Sequence, residues 1–162
     1  GAARNVLLLV TAGVGSARRV LDLYSGAGLF TVPLAAAGAQ VTAVEENAQS
    51  VDDAARNLRL NHIPASRVRL IRGRVDDAMR RLARERFDVV VLAPPRQGCV
   101  PAVLDAIAED VRPARVVYVS CNPEALASDL TRLRSAGYAI DALQAVDMFP
   151  HTEHIETVVT LT

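Results

Sequence analysis

Val20-Leu21-Asp22-Leu23-Tyr24-Ser25-Gly26-Ala27-Gly28 is the stretch that decides the fold. Residues 20–24 form an apolar run of strand length, and 25–28 form a turn. A helical pattern over 29–37 follows and stops at Gly38. Strand, glycine turn and helix in that order begin a β-α unit. Glycine at 26 and 28 lets the backbone turn sharply and approach a ligand closely.

The same alternation continues outward. Strand patterns at 41–45, 68–71, 87–92 and 115–120 interleave with helical patterns at 47–61, 76–84, 101–109 and 123–135. Within 47–61, Val51, Ala54, Ala55 and Leu58 share one face. A further helical stretch covers 2–12. The runs 138–146 and 154–161 follow one another with no helix between them. They read as a hairpin-like pair, which makes one strand antiparallel. An α/β three-layer domain with a mostly parallel sheet is expected, spanning 1–162 as one unit.

Composition agrees with one domain. The chain has 162 residues, 51% of them hydrophobic, enough for a full core. Eighteen basic and eighteen acidic residues balance, so the totals create no strong field for a polyanion. Every basic side chain apart from histidine is arginine. Cys99 and Cys121 form no disulfide framework. The early apolar run 6–10 is too short to cross a membrane. A reducing cytoplasm and a monomer are the expected setting. The chain opens inside a helical pattern, so it is expected to be the C-terminal part of a longer protein.

The turn at 25–28 has the marks of a nucleotide crevice. A dinucleotide fingerprint calls for a third glycine at position 31, where Thr31 stands. Glu45 ends the second strand about twenty residues after the turn, where a carboxylate can accept both hydroxyls of a ribose. That spacing suits NAD and S-adenosylmethionine equally. Glu46 beside it points elsewhere. After the third strand, Asp76 and Asp77 are placed either to accept an adenine amine or to serve as first-turn helix acids.

A second stretch carries chemistry: Tyr118-Val119-Ser120-Cys121-Asn122-Pro123-Glu124-Ala125-Leu126-Ala127. A strand delivers a cysteine to its carboxyl end, where open α/β sheets bind ligands. Asn122 can cap the helix that begins at Pro123. A helix N-terminus favours the thiolate, the nucleophilic form of cysteine. Cys99 follows Gly98 at a loop and reads as a structural thiol. Later, the stretch Asp147-Met148-Phe149-Pro150-His151-Thr152-Glu153-His154-Ile155-Glu156-Thr157 offers carboxylates inside another strand. His151 and His154 are three apart on extended chain and point to opposite faces, so no metal site is expected.

Taken together, these blocks resemble the S-adenosylmethionine-dependent RNA uracil-C5 methyltransferases, which make 5-methyluridine in tRNA and ribosomal RNA. The matching stretches are 21–30, 44–61, 88–98, 117–130 and 147–158. The resemblance implies a Rossmann-like class I methyltransferase fold, a mostly parallel seven-stranded sheet with one antiparallel strand. It implies S-adenosyl-L-methionine as cofactor and rRNA or tRNA as the partner, with no membrane and no metal in this part.

By resemblance, Cys121 is the nucleophile toward C6 of uracil, and Glu156 is the base that removes the C5 proton. Glu153 is the alternative base. Tyr24, Gly26, Gly28, Leu29, Glu45, Asp76 and Ala93 fall at the cofactor. Pro94, Arg96, Asn122 and Phe149 fall at the substrate. A base in folded RNA would have to leave its stack to reach Cys121.

Three departures stand against the pattern. The loop that normally reads Asp-Pro-Pro-Arg is Ala93-Pro94-Pro95-Arg96 here, and Arg74 replaces an acid or asparagine. Upstream RNA-contacting parts, and the cluster-binding cysteines of some members, are absent from this sequence. Other readings therefore remain: a cofactor- or RNA-binding domain impaired by Ala93 and Arg74, a dinucleotide-binding oxidoreductase domain, or an amine methyltransferase.

Overall fold

The computed structural model describes residues 1–148 and 155–162. Its described residues form a seven-stranded sheet in the order β3-β2-β1-β4-β5-β7-β6. The strands are β1 (Arg19–Leu23), β2 (Gln40–Glu45), β3 (Val68–Arg72), β4 (Val89–Leu92), β5 (Arg115–Ser120), β6 (Ile140–Asp147) and β7 (Ile155–Leu161). β1 to β5 are mutually parallel, whereas β7 runs antiparallel to both β5 and β6. The expected sheet with one antiparallel strand is the one found.

The central strands are buried on both faces because helices cover both. β1 is buried over Val20–Leu23 and β4 along its whole length. Such strands read as continuous apolar runs rather than alternating ones. On one side, α1 (Ala2–Val14) brings Val6, Val10 and Val14, and α2 (Thr31–Ala36) brings Leu34 and Ala35. Val20, Val41, Val91, Val117 and Val158 meet them. α3 (Ala48–Leu60) packs beside α2 with Ala54 and Leu58 buried. On the other side lie α4 (Val75–Leu82), α5 (Pro101–Ala106) and α6 (Pro123–Ser135).

Local chemistry sets the helix ends. Asn47 caps α3 by accepting the Ser50 N–H at 2.9 Å, and Asn122 caps α6 by accepting the Glu124 N–H. Pro101 and Pro123 occupy first-turn positions, where the missing N–H costs nothing.

Several boundaries differ from those read in the sequence. β1 stops at Leu23, because Tyr24 turns into the left-handed region with φ 61°. Leu29 and Phe30 belong to the turn, and α2 begins at Thr31. The helix expected over 101–109 is α-helical to Ala106 and then a π-helical turn, Ile107–Val111. The extra residue in that turn delivers Arg112 to a left-handed conformation that ends the helix. Edge strand β6 begins two residues later than expected and is exposed over most of its length.

Helix α1 lies unusually close to the sheet at Gly13. A Cβ there would stand 3.0 Å from Thr160 Oγ1 and from a Val117 methyl. The Gly13 carbonyl accepts Arg115 Nη1–H at 2.8 Å. Gly13→Val is expected to destabilise the fold by about 1–3 kcal/mol through overpacking. Denaturant unfolding would measure it.

Candidate active site

The strand order reverses between β1 and β4, so their carboxyl ends open a crevice where ligands of such sheets bind. The turn after β1 forms one wall. Gly26 has φ 57° and open space where a Cβ would be, and Gly28 has φ 93°. The Asn57 amide of α3 donates to the Ala27 carbonyl at 2.9 Å and steadies the turn.

Glu45 joins this wall to the next strand. Its Oε1 accepts the Gly26 N–H at 2.9 Å, and its Oε2 accepts the Asn47 N–H at 2.7 Å. Each oxygen keeps a free lone pair, and the residue is half-buried. A pair of vicinal hydroxyls fits that acceptor pair. The glycine cradle and the Glu45 carboxylate therefore suit the ribose of a nucleoside-bearing ligand.

Asp76 lies in the first turn of α4 and is held by Arg74 through Nε at 3.1 Å and Nη2 at 3.0 Å. The guanidinium keeps the Asp76 carboxyl below its ordinary range, so it stays ionised. An adenine amine would share this acceptor with Arg74. Ala93, partly buried beyond β4, offers only a methyl group and packs against the α1-side core. Leu29 is exposed, and the Tyr24 ring packs against the opposite core.

Cys121 is exposed at the end of β5. The β5–β7 register pairs Val119 with Val158 and Ser120 with Thr157. One further step brings Cys121 to the level of Glu156. Alternation puts Glu156 on the side of the sheet that holds Val158. Glu156 is partly buried, and burial raises its carboxyl above the ordinary value. Thiol and carboxylate thus lie at one end of the sheet, on the neighbouring chains of β5 and β7.

The Asn122 amide is already used twice. Its oxygen caps α6, and its Nδ2 donates to the Arg96 carbonyl at 2.9 Å. Pro94 is buried, whereas Arg96 is exposed at the top of the loop. Phe149, His151, Glu153 and His154 lie outside the described residues. Cys99 is buried, and burial pushes its thiol well up, so it stays protonated. Among the described residues, no group of three His, Cys, Asp or Glu side chains could hold a metal ion. Also among them, no helix is long and apolar enough to cross a membrane.

Sequence reasoning missed two buried acids. Asp22 sits inside β1 with no exposure and accepts the Thr31 hydroxyl at 2.5 Å. Its Oδ1 is the one buried side-chain oxygen without a partner among the described residues. Asp129 lies on the buried face of α6. The signal for both was present: each is an acid where the pattern calls for an apolar residue.

The topology and the crevice define a methyltransferase domain of the class that uses S-adenosylmethionine. The tRNA (uracil-5-)-methyltransferase family model matches residues 6–162, and the chain belongs to that family. An uncharacterized RNA methyltransferase of Gloeobacter violaceus is 46% identical over 142 residues, covering 88% of this chain and 30% of that protein. One from Thermosynechococcus vestitus is 42% identical over 145 residues, covering 89% and 31%. The chain thus spans about a third of the length of these relatives. Among solved structures, the Pyrococcus abyssi tRNA (uracil-54, C5)-methyltransferase in complex with S-adenosyl-L-homocysteine superposes with a TM-score of 0.86. It is 34% identical, and the match covers 99% of this chain and 38% of that one.

Burial lifts the Asp22 carboxyl from 3.8 to about 7, with the Thr31 hydrogen bond opposing and the Glu45 charge adding. The folded state therefore binds a proton that the unfolded chain has released between those two values. Stability falls as the pH rises through that window, by roughly 4 kcal/mol at most. Asp22→Asn should abolish this slope. Unfolding free energies of both proteins at several pH values between the two would check it.

Proposed function

We propose that this chain is the catalytic domain of an RNA uracil-C5 methyltransferase acting on rRNA or tRNA, with S-adenosyl-L-methionine as cofactor. What supports the reading is the β5–β7 register, which sets Ser120 opposite Thr157 and so puts Cys121, just past β5, and Glu156 of β7 at the same end of the sheet. Gly26, Gly28 and Glu45 would hold the nucleoside, with Asp76 and Arg74 at its adenine. Bound cofactor supplies an electrophilic methyl group on a sulfonium.

The protein's own groups handle the uracil. C5 of uracil is a poor nucleophile. The Cys121 thiolate adds to C6, and the C5–C6 π electrons move into an enolate that makes C5 nucleophilic. After C5 has gained its methyl group, the Glu156 carboxylate takes the C5 proton. The released pair re-forms the double bond and expels the Cys121 thiolate. This is covalent catalysis dividing a hard step into easier ones. A half-buried carboxylate with a raised pKa is a stronger base than a solvated one.

Ala93 and Arg74 motivate a second reading, a domain that binds cofactor with impaired transfer. Calorimetry with S-adenosylmethionine, and NAD as control, tests the cofactor. Binding of the first alone is expected; NAD binding alone would sink the proposal. With 5-fluorouridine RNA, the wild type should form a covalent adduct and Cys121→Ala none. Glu156→Gln should form the adduct with uridine RNA but release product slower by about 10²–10⁴-fold. Cofactor binding without adduct, restored by Ala93→Asp, would support the impaired reading.

A further inference from the structure

Asp129 is a buried carboxylate that the chemistry above does not use. It lies two turns into α6, among Leu126, Leu130 and Leu133, and is 7% exposed. A buried charge is costly unless hydrogen-bonded. Its Oδ2 accepts two donors from different parts of the chain. One is the Tyr118 hydroxyl of β5, at 2.5 Å, and the other is the Cys99 backbone N–H, at 2.9 Å. Burial keeps the Tyr118 phenol protonated, so it remains a donor.

The loop after β4 is fitted to this carboxylate. Gly98 has φ 83°, and a Cβ there would stand 2.8 Å from Asp129 Oδ2 and 3.2 Å from the Ala125 methyl. The Gly98 N–H closes a turn onto the Pro95 carbonyl at 2.9 Å. The far side of that turn is tied to Asn122, the neighbour of Cys121, through the Arg96 carbonyl. Buried Gly98 and Cys99 anchor the loop, while Pro95, Arg96 and Gln97 stand exposed above.

We propose that Asp129 is a positioning residue for the reaction: it ties the loop 94–98 to α6 and so fixes the wall beside Cys121 against which the target base is held. The inference rests on the reading of Cys121 as the nucleophile, but the tether has a readout of its own. A carboxylate suits the task because one charged oxygen can draw two donors together with short bonds. The cofactor turn is held by Glu45 and Asn57, so losing the tether should leave it intact.

The test compares wild type, Asp129→Leu, Asp129→Asn and Gly98→Ala. Ellman's reagent should label exposed Cys121 rapidly in all four. Cys99 should be protected in the wild type and at least about tenfold faster to react in Asp129→Leu, matching the loss of a charged hydrogen bond. Asp129→Asn should retain protection, since an amide oxygen can accept both donors. Gly98→Ala, whose methyl group would crowd Asp129 Oδ2 and push the loop off, should behave like Asp129→Leu. The rate of adduct formation with 5-fluorouridine RNA should fall about tenfold in the two disruptive variants, with S-adenosylmethionine affinity within about threefold of wild type. A merely structural role would lower affinity, melting temperature and adduct rate together.

Protection of Cys99 in a folded Asp129→Leu protein, or wild-type adduct rates in both disruptive variants, would overturn the proposal. An absence of adduct in the wild type would overturn the uracil reading instead. The Cys99 rates would then decide the tether alone.

Discussion

The insertion of β7 between β5 and β6 is the constraint on which the rest of the site depends. A strand at that place must satisfy its backbone on both edges, and it does so by running antiparallel to both neighbours. Running antiparallel, it begins at the end of the sheet where β5 finishes. Glu156 therefore arrives at the level of Cys121 rather than at the opposite edge. A parallel strand of the same sequence would place that carboxylate a full strand length away.

Backbone amides and buried carboxylates do the remaining assembly. Glu45 collects one N–H from the glycine turn and one from the start of α3, joining two β-α units at the cofactor crevice. Asp129 collects a loop N–H and a strand hydroxyl, joining two more. Each uses the strength of a charged acceptor to offset the cost of burial. Asp22 is the exception, with only Thr31 to satisfy it, and its carboxyl holds a proton up to about 7 as a result.

Two of the three departures from the pattern that the resemblance implies differ in physical weight. Ala93 sets a methyl group, which accepts no hydrogen bond, against the α1-side core. Arg74 adds a guanidinium that occupies Asp76 with two hydrogen bonds. The first offers no acceptor; the second keeps an acceptor and engages it.

The sequence by itself determined the layers and most of the elements. Apolar runs of strand length, amphipathic helices and turn residues at Gly38, Asn47 and Asn122 are local signals, and local energetics obey them. It also put Cys121, Glu45 and the glycine turn at the carboxyl ends of strands, because a strand run and the cap or glycine that follows it are local signals too. Boundaries failed where tertiary contacts overrode propensity. Tyr24 leaves β1 in a left-handed turn because the chain must bend over the sheet edge there, and the end of α5 becomes a π-helical turn. Asp22 and Asp129 stand at positions where the pattern calls for an apolar residue, but what each one bonds to depends on the segments packed against it. Only the tertiary structure decided which side of the sheet Glu156 faces and that Asp129 meets the Cys99 amide. Those facts depend on register between segments far apart in the chain, and no local pattern encodes register.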